Sequence, residues 1–527
     1  MQTKIIKDPL YDYIAVDQDI CENIIDSKYF QRLRRIEQTS MRCLYPSARH
    51  DRFIHSLGVY HLAKMATAAI QSNGIIVIDE RYDSEKEKFI PDDTSRKKLN
   101  FTFEMAALLH DVGHSPFSHT LENRFKTIYE RDVNQKVVSK DILSIFLERI
   151  RNLIIERQEE NYDIFAANVK TSKAASHEIV SCIVVLDCFK DVLDRLAKDR
   201  GLQIDYCFLC RCILGAQYSE NNRINDYKNC IIKLLNSSID VDKLDYIARD
   251  TQVSGFDNML VDNVRLMKAL ALALYEDGEN SCKLCLVFKK MATGVIQNVI
   301  ISRNSLYTWI YSHHKVKYES HLIDKAIDLI FQKKYREDKN LYISKFFSVD
   351  RIEKELLCDD TVWTLFMDNI DIPEVSEIIE RKSQKVAVWK SFAEFQAFFD
   401  TANDTMPLGD FSIDAMRNTL SSSDEEVKAF TEYLNKNRFE IQFDVVMNAT
   451  KLSNIEHNSI IIFINNGLYS FDSLFGELYK PSKVPEFFYI YCKKDDKQRL
   501  NMKNSENKKE LIAYIKQYDG FRKKPLT

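Results

Sequence analysis

The sequence predicts a mainly α protein: a helical catalytic body followed by a smaller α+β C-terminal lobe. Three observations predict it. Apolar residues recur at helical spacing through most of the first 335 residues, as at Ile24, Ile25, Phe30, Leu33 and Ile36. Short β-rich runs gather only near the C-terminus, at Phe439 to Met447, Ile460 to Ile464 and Phe487 to Cys492. The run Met105 to Leu109 delivers His110 and Asp111 at the end of a buried helix, after which Gly113 and Pro116 bend the chain.

Taken in order, the chain opens on an extended segment, Lys4 to Pro9, then the periodic stretch above, decorated by Arg32, Arg34 and Arg35. A second helix starts near Phe53 and carries His55. The polar segment from Asp79 to Asn100 predicts a surface loop. Beyond His119, Ile142, Ile145, Phe146 and Ile150 predict a long helical insertion, roughly Val133 to Glu160, within an excursion over about 130–170. Helices follow at Ser176 to Ala197 and Cys207 to Leu235, then the acidic-apolar run Ile239 to Asp250, then a helix beyond Gly294. After about Asp338 helices continue to Arg438, one with a capping box at Ser423 and Glu426, and a helix over Lys508 to Gln517 closes the chain. The expected division is a body of residues 1–335 and a lobe of residues 336–527.

At 527 residues with 45% hydrophobic and 29% charged residues, a large core is expected and disorder is excluded. A net charge of −4 gives no general attraction to polyanions, so nucleic-acid binding is not indicated and an anion site must be local. Twelve cysteines without a signal peptide predict a reducing, cytoplasmic setting, and no apolar run is long enough for a membrane span. Two CxxC spacings, Cys207 to Cys210 and Cys282 to Cys285, raise a zinc site. Their apolar surroundings, with no turn glycine, favour buried small hydrophobes instead.

Three of eleven histidines fall in the stretch from His110 to His119. Imidazole beside carboxylate is a transition-metal environment, and His110 with Asp111 supplies two ligands. His55 and Asp242, each on an amphipathic helix, are the candidates to complete it. His50 and Asp51 also spell His-Asp, but in a polar turn without an apolar lead-in, and are set aside.

On these residues the chain resembles the HD-domain phosphohydrolases, and within them the deoxynucleoside triphosphate triphosphohydrolases, a branch that includes bacterial dGTPases and the vertebrate SAM-and-HD-domain dNTPase. The resemblance rests on Arg52 to Val59, His110 to His119, His177-Glu178, and Asp240 to Tyr246 through Arg249-Asp250, in family order. It extends over Lys4 to Pro9, Ile25 to Gln38, Arg303 to Tyr311 and weakly Tyr491 to Lys494, and leaves no room for an N-terminal SAM domain.

The resemblance implies a divalent transition metal (Fe, Mn or Zn) on His55, His110, Asp111 and Asp242, with Mg²⁺ accompanying the nucleotide. It places His114, His119 and His177 at the scissile phosphate with Glu122 orienting a histidine, and makes His119 the proton donor to the leaving 5′-oxygen. Arg52, Lys243, Tyr246 and Arg303 would hold the triphosphate, and Gln38, Asp250 and Tyr311 the deoxyribose. Lys4, Ile5, Asp26, Gln31 and Arg34 match positions that read a guanine-nucleotide activator (GTP or dGTP) across a subunit interface, which implies a homotetramer or homodimer. Asp26 serves equally as a helix cap, and Gln31 and Arg34 as structural residues.

Three departures stand out: Glu122 where the vertebrate pattern has Asp, Ser312 where a glutamine near the base is expected, and the long segment between His119 and His177. The expected activity is hydrolysis of a dNTP to deoxynucleoside and triphosphate. The alternatives are an HD phosphohydrolase of a monophosphate or of a cyclic or signalling nucleotide, and a nucleotide-sensing scaffold in a defence complex.

Overall fold

The structure is a computed structural model that describes residues 2–132, 135–157, 160–220, 222–255, 261–277, 281–382, 384–400, 413–436, 440–447, 457–476, 487–501 and 506–521. Helices dominate, as the periodicity predicts. Two compact units form: one from residues 1–303, 331–365 and 454–480, the other from 304–330, 366–453 and 481–527. Contacts therefore do not follow a single boundary at 335/336. The chain passes between the units several times, because segments distant in sequence complete each core.

The first unit is built on two long helices. Arg52–Asn73 starts at Asp51, whose carboxylate accepts the Ile54 N–H at 3.0 Å. Asp93–Leu109 starts at Asp92, which accepts from the N–H groups of Thr94 and Ser95, and ends at His110. The two helices pack on each other, and Tyr206–Leu214 packs on the second. Met105 to Leu109 are fully buried, as the apolar lead-in predicts.

Beside the helices lies a five-stranded sheet, ordered Gly467–Ser470, Ile461–Ile464, Cys282–Lys289, Leu270–Glu276, Ile75–Val77. Its central hairpin pairs Leu270 with Phe288 through Glu276 with Cys282. These strands went unread in the sequence because Leu270–Glu276 is buried along nearly its whole length and lacks an alternating pattern. The second unit holds a three-stranded antiparallel sheet, Lys385–Ala387, Phe488–Lys493 and Asp444–Met447, with Trp389 buried at its edge. The closing helix is Glu506–Lys516, and Ser423 caps Asp424–Leu434 by accepting the Glu426 N–H at 3.2 Å.

Five expectations are corrected. The segment predicted as a loop over 79–100 contains a 3₁₀ stretch, Glu80–Phe89, and the start of the helix Asp93–Leu109; its charges lie on exposed turns, where helix tolerates them. The predicted long helix over 133–160 is a hairpin, Thr127–Arg131 with Val137–Asp141, followed by the helix Ile142–Arg157. The periodic stretch from Ile24 to Ile36 is broken into a π turn, Cys21–Ile25, a short helix, Lys28–Gln31, and a 3₁₀ turn, Arg32–Arg35. Ser27 interrupts it by capping the middle piece, so Asp26 is not the cap. Cys207 to Leu235 is two helices, parted at Gly215 with φ +65°. Val133, Arg438 and Phe439, named as element ends in the sequence reading, lie outside the described residues. Among the described residues no cysteine joins a metal-binding group and none forms a disulfide, against the zinc reading.

Candidate metal and phosphate site

The first turn of Arg52–Asn73, the end of Asp93–Leu109 and the helix Val241–Ser254 bring His55, His110, Asp111 and Asp242 together. His55 Nε2 lies 3.0 Å from Asp242 Oδ1 and 3.8 Å from Asp111 Oδ2. His110 Nε2 lies 3.6 Å from Asp111 Oδ1 and 3.7 Å from Asp242 Oδ1.

Second contacts fix both tautomers. His55 Nδ1 donates to Asp245 Oδ2 at 2.7 Å and His110 Nδ1 to the Ala107 carbonyl at 2.8 Å, so both Nε2 lone pairs face the cluster. The two rings stand at 72° with centroids 5.3 Å apart, which lets in-plane lone pairs converge.

These residues fit a divalent metal. His110 Nε2 is buried with no hydrogen-bond partner, and donor atoms 3.0–3.8 Å apart suit ligands of one ion with bonds of about 2 Å. His55, His110 and Asp111 already lie in a metal-binding arrangement. Burial opposes the charge on Asp111, but the Arg52 guanidinium 2.7 Å away, with His110 and His55, holds it well below the usual carboxylate range. Burial likewise opposes a charge on His55, and without an ion Asp242 and Asp245 overcome it, raising it to about 9; a bound metal would take the place of the proton on Nε2 and leave Nδ1 donating to Asp245.

Close approach of the supporting helices needs two glycines. A Cβ on Gly58 would come within 1.9 Å of Asp245 Oδ1, and one on Gly113 within 2.2 Å of the Ser181 backbone nitrogen. Gly113 N also donates to Ser181 Oγ at 2.9 Å, seating the histidine loop on the helix Ser176–Val184 that carries His177.

A second cluster adjoins the first. His114 Nε2 lies 4.0 Å from Asp111 Oδ1. Its ring stacks on His177 at 4.4 Å and 21°, and His119 stands edge-on to both. Glu122 accepts from His119 Nδ1 and His177 Nδ1, each at 2.9 Å. This trio also meets the spacing for a metal, but the parallel rings of His114 and His177 aim their lone pairs side by side rather than at one point. The arrangement suits proton handling better. Burial disfavours a charge on His177, yet Glu122 raises it to about 9; the same contacts hold Glu122 well below the carboxylate range against its own burial. Burial, reinforced by Arg52, keeps His114 neutral. His119 is 62% exposed, the most open of the three.

Cations and polar groups surround these clusters. Arg52 donates to Asp111, to Ser118 Oγ at 3.1 Å and to the Gln38 carbonyl at 3.0 Å. Lys243 Nζ meets Asp240 Oδ2 at 2.6 Å, and Arg303 is buried close enough for its charge to bear on Lys243. Tyr246 sits on the helix with Asp242. Gln38 is buried with Oε1 unpartnered, and Asp250 is fully buried. Tyr311 and Ser312 belong to the second unit, where Tyr311 packs edge-on against Tyr307 at 4.9 Å and the Ser312 carbonyl accepts from the Tyr489 hydroxyl.

In the N-terminal region Lys4 Nζ pairs with Asp26 at 3.7 Å, both about half exposed, and Ile5 is 57% exposed. Gln31 donates to the Ile25 carbonyl and accepts from Arg34, whose guanidinium lies over the Phe53 ring at 3.5 Å.

Several working residues escaped the sequence reading. Asp245 was given no role, although its i,i+3 spacing from Asp242 puts both on one helix face. Arg249 extends the network, bonding Asp245 and the buried Asp8. His50, set aside in the sequence, lies 2.6 Å from Asp250 Oδ1.

A family model described as HD domain matches residues 52–199. The chain carries an HD domain. The chain is 24% identical over 501 residues to an uncharacterized protein of Mycoplasma genitalium, covering 90% of this chain and 99% of that one. It is 26% identical to the deoxynucleoside triphosphate triphosphohydrolase SAMHD1 of Gallus gallus, over 75% of this chain and 56% of the relative, and to the Homo sapiens protein over 78% and 56%. Among solved structures, a phosphohydrolase of Bacteroides thetaiotaomicron matches with TM-score 0.54 at 17% identity, covering 93% of this chain and all of that one. A hypothetical protein of Aquifex aeolicus matches with TM-score 0.55 at 20% identity, covering 97% and 100%. The HD domain, its buried His/Asp cluster and these relatives support a metal-dependent phosphohydrolase. Among the described residues no helix is long and apolar enough to cross a membrane.

Proposed function

We propose that the chain hydrolyses deoxynucleoside triphosphates to deoxynucleoside and triphosphate. The observation that carries this is the junction of two clusters on one loop, with His114 Nε2 4.0 Å from a metal-ligand carboxylate and His119 at its open edge. Similarity to the SAMHD1 proteins, whose name states this reaction, supports the choice of substrate.

When bound, a divalent metal on His55, His110, Asp111 and Asp242 supplies Lewis acidity toward the α-phosphoryl group and lowers the pKa of water. Water attacks the α-phosphorus, the bond to the 5′-oxygen breaks, and His119 gives that oxygen its proton. Glu122 holds the His119 and His177 rings, and the cationic His177 offsets charge that develops on the phosphoryl oxygens. Lys243, Tyr246 and Arg303 bind the triphosphate, where fixed cations are needed because the chain as a whole is slightly acidic. Arg52 supports that site through Asp111. Gln38 and Asp250 contact the sugar. A guanine nucleotide read by Lys4, Ile5, Asp26, Gln31 and Arg34 activates a homotetramer or homodimer.

The test is incubation with each dNTP and Mn²⁺ or Mg²⁺, separating the products by ion exchange. Deoxynucleoside plus tripolyphosphate is expected, and loss of both in Asp111→Ala and His119→Ala. Pyrophosphate or single phosphates instead would exclude this reaction. Added GTP or dGTP is expected to raise the rate and the oligomer size.

A further inference from the structure

The loop from His114 to His119 is held in a conformation that its own residues do not favour. Phe117 and Ser118 both lie in the left-handed region, with φ +54° and +51°, and neither is glycine. Such pairs persist only where surrounding contacts over-determine them.

Those contacts come from a segment 242 residues downstream in the same unit. Asp359, 5% exposed, accepts the Phe117 N–H on Oδ1 at 2.7 Å and the Glu37 N–H on Oδ2 at 3.0 Å. Trp363 packs edge-on against Phe117 at 5.5 Å. Opposite in charge, Arg32 is 2% exposed and spends its guanidinium on three carbonyls, those of Val112, His114 and Leu357. Ser118 Oγ closes the frame by donating to the Glu37 carbonyl. A buried guanidinium bound by carbonyls and a buried carboxyl bound by N–H groups thus grip the same loop from two sides. Both are expensive: burial pushes the Asp359 carboxyl up to about 7 and the Arg32 guanidinium down to about 10. Apolar residues would fill the space at less cost, but they could not bind backbone donors and acceptors.

We propose that Asp359 is a positioning residue, acting with Arg32 through backbone hydrogen bonds to hold the His114–His119 loop so that His119 reaches the departing oxygen. The inference rests on the proposed hydrolysis for its substrate and on this geometry for the residue.

The experiment compares the wild type with Asp359→Asn, whose amide can accept only one of the two N–H groups. Two substrates are used: a dNTP, whose 5′-alkoxide leaving group needs a proton, and the 5′-thio-dNTP with sulfur bridging C5′ and the α-phosphorus, whose 5′-thiolate leaves without one. Asp359→Asn is expected to lower kcat for the dNTP by about a hundredfold with KM unchanged, while turnover of the 5′-thio analogue and bound metal stay as in the wild type. An equal fall on both substrates, or no fall on either, would overturn the inference. Asp359→Ala, which removes both acceptors, is expected to repeat the pattern more strongly if its melting profile stays cooperative. Should the wild type hydrolyse no dNTP, the proposed function fails and the inference is decided by ¹⁵N-histidine NMR. Shifted His114 and His119 signals with unmoved His55 and His110 signals in Asp359→Asn support it; unmoved His119 signals overturn it.

Discussion

Asp245 touches His55 and not the cluster centre, yet its carboxylate decides which His55 nitrogen carries the proton. Removing it frees the ring to turn and leaves Arg249 without its main partner. Asp245→Ala is expected to weaken metal affinity about 10–100-fold, measured by competition with a chromophoric chelator. A different balance governs His177 and Glu122. The folded pKa of His177 is raised to about 9, so its pairing with Glu122 stabilises the fold fully below its ordinary value of 6.5. That contribution is lost as pH rises through about 9, and the hydrolytic rate is expected to fall over the same range. In Glu122→Gln the alkaline limb should move toward lower pH, because the group that raises His177 is gone; an unmoved limb in the pH–rate profile would contradict the assignment.

At the scale of elements, the site depends on how closely helices approach. Arg52–Asn73 meets Val241–Ser254 at Gly58, where even a methyl group would strike Asp245. Gly58→Ala is expected to cost about 1–3 kcal/mol by overpacking and to lower the thermal midpoint, with metal affinity falling as Asp245 is displaced. Calorimetry and metal titration on the same variant check both effects. The helices themselves were legible: the helix start near Phe53, and the apolar run Met105 to Leu109, announced where His55 and His110 sit. The 24–36 stretch was not, because its apolar residues keep helical spacing while Ser27 restarts the helix and Arg32 turns inward. Arg32 read as surface decoration, since nothing local shows that three backbone carbonyls elsewhere in the unit will receive it.

For the whole molecule, the candidate ligands of the proposed metal come from three helices spread between His55 and Asp242, so binding one ion would tie distant segments together. Added Mn²⁺ or Zn²⁺ is expected to raise the melting temperature, by the equivalent of about 2.7 kcal/mol at a hundredfold excess over Kd, and EDTA to reverse it. Asp111→Ala should abolish that shift. Taken alone, the sequence determined the dominance of helix, the candidate ligand types and their order, and the separation of His110-Asp111 from the trailing histidines. Those features depend on residue type and short spacing, which a chain carries before it folds. Only the tertiary structure decided which atoms face the cluster, since tautomers are set by Asp245 and the Ala107 carbonyl. It also decided that His114 and His177 stack rather than converge, and that residues near 359 complete the loop at 117. Such features depend on packing between segments up to hundreds of residues apart, and no local pattern encodes that distance.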